Sequence, residues 1–396
     1  MRISRFQFVL KPWFTALLYS VLTVIVTFQH YFKGTYNNYL IFVKPFFNLL
    51  EGKNLYLEYP EYYYDTYKYS PFFALFMGLF AYLPTWLGLL GWNALNNAVL
   101  YTAARRLFPD ERRRQLFLLL IVVDMMTALH NSQANCLLTG LMLWIYISLE
   151  RGRFVWAGLL VALAALIKVY GIGIGLIFLF YPNTIRNGLV AAAWIAVLAL
   201  APLLVVSWPE FQMIYQGWVN IVQESATGIQ LSLMGVLQAW FGVPIGAKGI
   251  VQVIGMVLLL LPVAYWRYWS ETHYRRLYVA SILVFVVIFN QMAESPTFVI
   301  AVAGFLFWFL CYRRSLSWSW ALFGFVLVFT MLSATDLVPS FIRHQYFDVY
   351  KLKAVPMILA WGVIQAQLLR YPAWRARLQA AEEQAAHTRA VAPTPA

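Results

Sequence analysis

The arrangement of apolar runs and arginines is the feature that most constrains this chain. Apolar segments follow one another along most of the sequence, separated by short arginine-rich stretches, and crossing a bilayer takes about 20 apolar residues. Charged residues make up only 11% of the chain, whereas a soluble domain carries about 25%. The sequence therefore predicts an all-α, polytopic transmembrane helical bundle with about 12 membrane segments.

The apolar segments lie at 13–30, 71–104, 115–129, 136–149, 154–181, 188–206, 250–266, 277–290, 297–312, 317–333 and 354–369. Two of them need dividing. Pro84 interrupts the first, so we expect a short helix over 71–83 that dips into the outer leaflet and a full span over 86–104. Lys168 to Gly171 interrupt 154–181, and we expect two short helices that meet there, an arrangement tolerated at membrane depth where it lines a cavity.

The positive charges predict the orientation. With the N-terminus inside and alternating crossings, 20 of the 29 Lys and Arg residues lie on the cytoplasmic side, in agreement with the positive-inside rule. Residues 1–372 then form one membrane domain of a bacterial inner membrane, with both termini cytoplasmic and a long first extracytoplasmic loop near 31–70. Residues 373–396 form a cytoplasmic tail, predicted to be partly disordered.

Charge and cysteine content argue against several classes of function. The net charge of +13 is spread over short clusters, which favours contact with anionic membrane lipids and disfavours nucleic acid as a partner. The two cysteines, Cys136 and Cys311, both lie inside apolar runs and suggest neither a disulfide framework nor a metal site. We expect no metal and no cofactor.

Polar residues without an evident structural task gather in the predicted outer loops. The first loop holds four acids among many tyrosines: Glu51, Glu58, Glu61 and Asp65. Tyrosine rings and carboxylates together are common in sugar sites, where rings pack on pyranose faces and carboxylates bind hydroxyls. A belt of interfacial tyrosines with solvated acids is the alternative interpretation.

Two further outer stretches place amides near a lysine. Asn131, Gln133 and Asn135 lie between two spans, and Lys168 and Tyr170 lie at the predicted helix break. Amides with a lysine suit a phosphate and its ester oxygens, although helix capping accounts for part of the first stretch. A cation at that depth usually pairs or binds a ligand, which makes Lys168 a candidate functional residue.

The remaining outer loops contain charges that are harder to assign. Ser295 and Pro296 fit a helix start, whereas Glu294 beside them has no such explanation. The last outer loop, at 334–353, contains charged residues for which a plain surface ion pair is a sufficient interpretation; these are Asp336, Arg343, His344, Lys351 and Lys353.

In these stretches the sequence resembles glycosyltransferase family 87, membrane sugar transferases of the GT-C class that include polyprenol-phosphate-mannose-dependent mannosyltransferases. The matching pieces, in order, are LLEGKNLY at 49–56, YKYSPFFAL at 67–75, NSQAN at 131–135 and AALIKVY at 164–170. The pattern looks closest to a Bacteroidota-type branch. The resemblance implies a GT-C-like fold, an active site at the extracytoplasmic face and a polyprenyl-phosphate-sugar donor, without nucleotide or essential metal.

One departure from the family pattern affects the choice of catalytic base. The family commonly has an Asp early in the first loop, where this chain has Asn38, and an amide does not act as a general base. We expect Asp65 to serve instead, because it adjoins the segment that re-enters the membrane, with Glu294 next and Glu51 and Glu58 after it.

The resemblance and the loop chemistry together predict a hexosyltransferase, mannosyltransferase-like, that inverts the anomeric carbon. Lys168, with Lys68, would neutralise the donor phosphate, while a lipid or glycan acceptor loses its proton to Asp65. The remaining candidate substrate-binding residues are Asn38, Tyr67, Tyr69, Asn131, Gln133, Asn135 and Tyr170.

Two other classes of protein compete with this prediction. A transporter or lipid flippase also has broken helices and intramembrane charge, but we find no internal repeat, and polarity lies on one side rather than midway. A catalytically inactive GT-C homologue is the other alternative, because Asn38 replaces the family Asp.

Overall fold

A computed structural model describes residues 8–225, 230–313, 316–335 and 337–379. Asp336 and most of the predicted tail, residues 380–396, lie outside these ranges. Within them the chain is built from α-, 3₁₀- and π-helices, and no strand occurs among these described residues. The predicted all-α, polytopic membrane fold is confirmed.

The helices follow the predicted apolar segments closely. Their bounds are α1 Pro12–Lys33, α2 Asn37–Leu50, α3 Pro71–Ala81, α4 Thr85–Leu107, α5 Glu111–His130, α6 Asn135–Glu150, α7 Phe154–Ile167, α8 Thr184–Leu200, α9 Trp208–Ser225, α10 Leu233–Phe241, α11 Lys248–Leu260, α12 Thr272–Ile288, α13 Phe298–Tyr312, α14 Ser319–Val326, α15 Ser340–Ile342 and α16 Val355–Leu369. A 3₁₀-helix spans Val169–Phe180 after α7, and helical turns of 3₁₀ or π type extend α8, α11, α14 and α15.

Both divided segments have the expected form. Pro84 separates the short α3 from the full-length α4, and Ser70 caps α3 by accepting a hydrogen bond from the backbone N–H of Phe73. Lys168 separates α7 from the 3₁₀-helix in an extended conformation, with φ −141° and ψ 123°. Five of the described helical segments are long and apolar enough to cross a membrane; they are Pro12–Lys33, Thr184–Leu204, Ile245–Ala264, Ser295–Tyr312 and Leu352–Leu369.

The bundle has a buried centre and an apolar periphery. The span Ser295–Tyr312 is 89% buried, and α13 within it packs against α5, α6, α12 and α16. By contrast, Thr184–Leu204 and Ile245–Ala264 are each only 17% buried, with large apolar side chains such as Ile185 and Ile250 on the surface. A contiguous apolar surface of this kind is costly in water but is expected of helices that face lipid.

The first predicted outer loop contains a helix that its polar composition does not suggest. Helix α2 buries Tyr39, Phe42 and Phe46, and Pro45 lies inside it. Its start is fixed to the end of the loop because Asn37 exchanges two hydrogen bonds with the backbone of Tyr64, at 2.9 and 2.8 Å. The loop therefore folds back on itself and brings residues 65–70 next to the start of α2.

Candidate active site

The predicted outer loops converge on one large cavity of about 670 Å³ at one end of the bundle. Its walls come from the start of α2, the re-entering segment before α3, the turn between α5 and α6, the break after α7, helices α9 and α11, and the loop before α13. Nine of the eleven predicted site residues line it: Asn38, Asp65, Lys68, Tyr69, Asn131, Gln133, Lys168, Tyr170 and Glu294. One wall is apolar and includes Ile41, Phe42, Ile167, Val169, Ile172 and Val222.

The helix break is fixed beside the first loop by a buried contact. The Ser70 hydroxyl donates to the backbone carbonyl of Leu166 at 2.5 Å, which ties the start of α3 to the last turn of α7. At Gly171 the backbone passes so close to Ala164 that a Cβ atom would collide with the carbonyl oxygen of that residue. The small residue lets the chain turn back immediately after Lys168, whose side chain then lies against Tyr69.

A continuous row of hydrogen bonds links the lysine to a carboxylate. The Lys168 ammonium donates to Asn135 Oδ1 at 2.9 Å, Asn135 Nδ2 donates to Gln133 Oε1 at 2.7 Å, and Gln133 Nε2 donates to Glu294 Oε2 at 2.8 Å. All four residues were predicted site residues, and they come from three separate segments of the chain. We call this row the Lys168–Glu294 chain. It fixes the orientation of both amides, since each one donates at one end and accepts at the other.

Two aromatic rings accompany the Lys168 ammonium. Its nitrogen lies 5.8 Å from the centre of the Tyr69 ring and 5.9 Å from that of Tyr170. Ring faces stabilise a cation that has been removed from water, so the half-buried lysine is held by these rings and by Asn135. Burial, together with the carboxylates of Glu294 and Asp65, raises the pKa of the Tyr69 hydroxyl, which therefore remains a proton donor at neutral pH.

The carboxylate of Asp65 has different hydrogen-bond partners from that of Glu294. Both of its carboxylate oxygens accept hydrogen bonds from the Lys68 ammonium at 2.9 Å, and Oδ1 also accepts from the Thr66 backbone. The Asp65 backbone has φ +78°, which is uncommon for a residue other than glycine. The pair lies toward the outside of the cavity, since the side chains of Asp65 and Lys68 are 61% and 36% exposed.

Asn38, which we predicted to replace the family Asp, also lines the cavity. Its side-chain amide donates to the backbone carbonyl of Asn131 at 2.8 Å, so it supports the turn between α5 and α6. Trp92 supports the same turn by donating from its ring nitrogen to the Ser132 carbonyl at 2.8 Å. An aspartate at residue 38 would lack the donor that this contact uses.

The other two predicted residues, Tyr67 and Asn135, are not among the residues that line the cavity. Tyr67 is fully buried, and its hydroxyl donates to the Ser70 carbonyl at 2.8 Å, which shapes the turn into α3. Asn135 is also buried and acts inside the Lys168–Glu294 chain. The backbone of α6 beside it is fixed by Asn96, whose Oδ1 accepts from the Leu137 N–H at 3.0 Å.

Three residues that line the cavity, two of which we did not predict, carry buried polar side-chain atoms without a hydrogen-bond partner among the described residues. The atoms are the Tyr170 hydroxyl, the Trp218 ring nitrogen and Gln291 Oε1, of which only Tyr170 was a predicted site residue. Leaving such an atom unpaired costs about 1–3 kcal/mol, a penalty that a hydroxyl-rich ligand would offset. Lys248 and Gln252 of α11 also line the cavity and were not predicted.

In the part of the chain that the structure describes, no three or more His, Cys, Asp or Glu side chains form a group that could hold a metal ion.

Comparison with known proteins identifies one family. The model of glycosyltransferase family 87 matches residues 67–294, more than half of the chain. The match extends from Tyr67 to Glu294 and therefore includes every member of the Lys168–Glu294 chain, whereas Asn38 and Asp65 precede it. A comparison with curated proteins finds no match.

Proposed function

This chain belongs to glycosyltransferase family 87 and is a membrane glycosyltransferase; from that premise we propose that it transfers a mannose-like hexose from a polyprenyl-phosphate donor to a lipid or glycan acceptor. The reaction takes place at the extracytoplasmic face of a bacterial inner membrane. The observation that carries the proposal is the Lys168–Glu294 chain, which joins a cation suited to a phosphate and a carboxylate suited to a proton in one cavity.

The volume of this cavity and its combination of polar and apolar lining residues suit such a donor. Its apolar wall continues to side chains on the outside of the bundle, such as Val169 and Ile172, which are about half exposed. An isoprenoid tail can lie along this wall while its phosphate meets Lys168. The ammonium has three N–H donors, of which Asn135 takes one.

We assign the general base to Glu294 rather than to Asp65, which reverses the order that the sequence suggested. Both oxygens of Asp65 accept hydrogen bonds from the Lys68 ammonium, so an acceptor hydroxyl would have to compete with that contact. Glu294 Oε2 accepts from a neutral amide, and Oε1 has no hydrogen-bond partner among the described residues. Oε1 is the atom that receives the proton.

The reaction then proceeds as a single displacement. The acceptor hydroxyl gives its proton to Glu294 Oε1, and its oxygen forms a bond to the anomeric carbon. The bond between that carbon and the phosphate oxygen breaks, and the leaving polyprenyl phosphate keeps the electron pair, with its added charge stabilised by Lys168. Attack from the face opposite to the leaving group inverts the anomeric carbon.

The test uses the purified protein in lipid nanodiscs with polyprenyl-phosphate sugars labelled in the sugar. We expect free polyprenyl phosphate and labelled product to form together, and only when an acceptor is present. A flippase would move the donor without breaking it, and an inactive homologue would bind the donor without product. Either result would overturn the proposal.

A further inference from the structure

A second, smaller cavity lies beside the first and has a different chemical character. It has a volume of about 250 Å³, and the polar residues that line it are Thr127, Asn131, Ser295, Ser333, Arg343, Asp348 and Lys353. Two of these residues are cations and one is an acid. Such a cavity suits a compact anionic group rather than a lipid tail.

Arg343 is the more accessible of the two cations. Its side chain is half-buried, and its guanidinium forms no hydrogen bond or ion pair with the residues that the structure describes. The nearby acid, Asp348, contacts His344 rather than Arg343: its Oδ2 is hydrogen-bonded to His344 Nδ1 at 2.8 Å. A guanidinium offers several donors in one plane, which matches the oxygens of a phosphate group.

Lys353 is the second cation, and it is only 3% exposed. Its ammonium donates to the Ser295 hydroxyl at 2.7 Å and lies 5.3 Å from the centre of the Phe298 ring. Asp124 of α5, also buried, interacts with it electrostatically. Burying a cation is costly unless it is compensated, and Asp124 and the Phe298 ring each offset part of this cost.

The two cavities meet at the proposed catalytic base. Asn131 lines both, and two consecutive residues divide them: Glu294 lines the larger cavity and Ser295 the smaller. A group bound to Lys353 would lie beside Ser295, which contacts the lysine at 2.7 Å and directly follows Glu294 in the chain. The larger cavity, with its apolar wall, is left for the donor.

We propose that the smaller cavity binds a phosphate ester carried by the acceptor. This inference rests on the proposed function, and it adds that the acceptor is an anionic, phosphate-bearing molecule whose phosphate contacts Arg343 and Lys353. Its free hydroxyl then reaches Glu294 from the side opposite to the apolar wall. The phosphate of the donor, by contrast, meets Lys168 in the larger cavity.

The first test measures anion binding without any turnover. The probe is methyl phosphate, observed by phosphorus NMR line broadening with protein in a phosphate-free detergent. Removing a charge-assisted contact weakens binding by roughly 10- to 100-fold, so we expect this loss in Arg343→Gln. The matched variant is Lys53→Gln, which alters an exposed lysine that lines neither cavity and should leave binding near normal. Absence of binding to the unaltered protein, or an equal loss in the two variants, would overturn the inference.

The second test asks whether the phosphate that contacts Arg343 belongs to the acceptor or to the donor. In Arg343→Gln we expect the KM for a phosphate-bearing lipid acceptor, such as phosphatidylglycerol or phosphatidylinositol, to rise at least about 10-fold. The KM for the donor and the slow hydrolysis of the donor by water should not change. A rise in the donor KM instead would assign this phosphate to the donor and refute the inference.

These two tests also distinguish failure of the inference from failure of the proposed function. If methyl phosphate binds through Arg343 but no sugar is transferred, the anion site stands and the proposed reaction fails. If unaltered protein and Arg343→Gln transfer sugar equally well to the phosphate-bearing acceptor, the reaction stands and the acceptor phosphate site is wrong. Lys353→Met is kept as a supporting variant because Lys353 is buried and its loss threatens folding.

Discussion

The two cavities at the loop end of the bundle differ in which charged side chains line them and in what those side chains contact. In the larger one, Lys168 and Glu294 are joined through two amides beside an apolar wall. In the smaller one, two cations, Arg343 and Lys353, share the lining with Asp348, and the buried Asp124 interacts electrostatically with Lys353. The difference suggests a division of tasks, with bond making and breaking in the larger cavity and anchoring of an anion in the smaller.

The boundary between the cavities is narrow, which makes the comparison testable. Asn131 belongs to both, and Glu294 and Ser295 are neighbours in the chain. Substitutions in the larger cavity should therefore change the rate of transfer, and substitutions in the smaller should change how well the acceptor binds.

The largest effect is expected for Glu294→Gln. The amide cannot take a proton, and general-base assistance is typically worth 10²–10⁴ in rate, so kcat should fall by about that factor while protein abundance is unchanged. The measurement is acceptor-dependent release of polyprenyl phosphate. Asp65→Asn is the control, with an expected loss below about tenfold; if Asp65→Asn is the more damaging change, Asp65 is the base.

Lys168→Gln comes next. Removing one group that stabilises developing charge typically costs about 10²–10³ in kcat, and we expect this loss without a change in the KM for the acceptor. Lys68→Gln is the matched control, because Lys68 lines the same cavity but its ammonium is bound to Asp65. Equal losses in the two variants would mean that Lys168 has no special role at the leaving group.

Gly171→Ala tests how the helix break positions Lys168. The added Cβ would meet the Ala164 carbonyl, and such overpacking costs about 1–3 kcal/mol of unfolding free energy. We expect a lower Tm and a lower kcat, with methyl phosphate binding at the smaller cavity retained. Gly188→Ala in α8, where no atom lies within 4 Å of the new Cβ, should leave all three quantities unchanged.

The smallest effect is expected for Asn38→Asp, the change that restores the residue of the family pattern. The carboxylate would face the Asn131 carbonyl, which now accepts a hydrogen bond from Asn38 at 2.8 Å. Loss of that bond disturbs the turn shared by both cavities, so kcat should fall by a few-fold up to about tenfold. A gain in kcat would show that residue 38 supplies the base and would replace Glu294 in the mechanism.

The sequence predicted the course of the chain well because its signals are local. Runs of apolar residues gave the membrane segments, Pro84 marked the division between α3 and α4, and Lys168 with Gly171 marked the break after α7. Helix α2 was missed because its apolar face lies within a polar loop and Pro45 argues against a helix. The amphipathic spacing of Tyr39, Phe42 and Phe46 was the signal that could have revealed it.

Residue type alone selected most of the polar residues that meet in the larger cavity, but it did not show which of them contact each other. Lys168, Gln133 and Glu294 were all selected, yet their connection spans 161 residues between Gln133 and Glu294 and depends on how the helices pack. The sequence did not suggest the roles that we propose for Arg343 and Lys353, because a loop position indicated a surface ion pair, whereas Lys353 is buried against Phe298. Asp124 was overlooked as one carboxylate inside an apolar span, a position that is itself a sign of function.

The most direct test of the account is the side of the membrane on which both cavities open. Tyr64 is 80% exposed beside Asp65, and Arg112 is exposed at the start of α5. In a variant with Cys136 and Cys311 replaced by alanine, single cysteines at residues 64 and 112 are treated in intact cells with a thiol reagent that does not cross the membrane. The account predicts labelling of residue 64 alone; labelling of both residues, or of residue 112 alone, would contradict it.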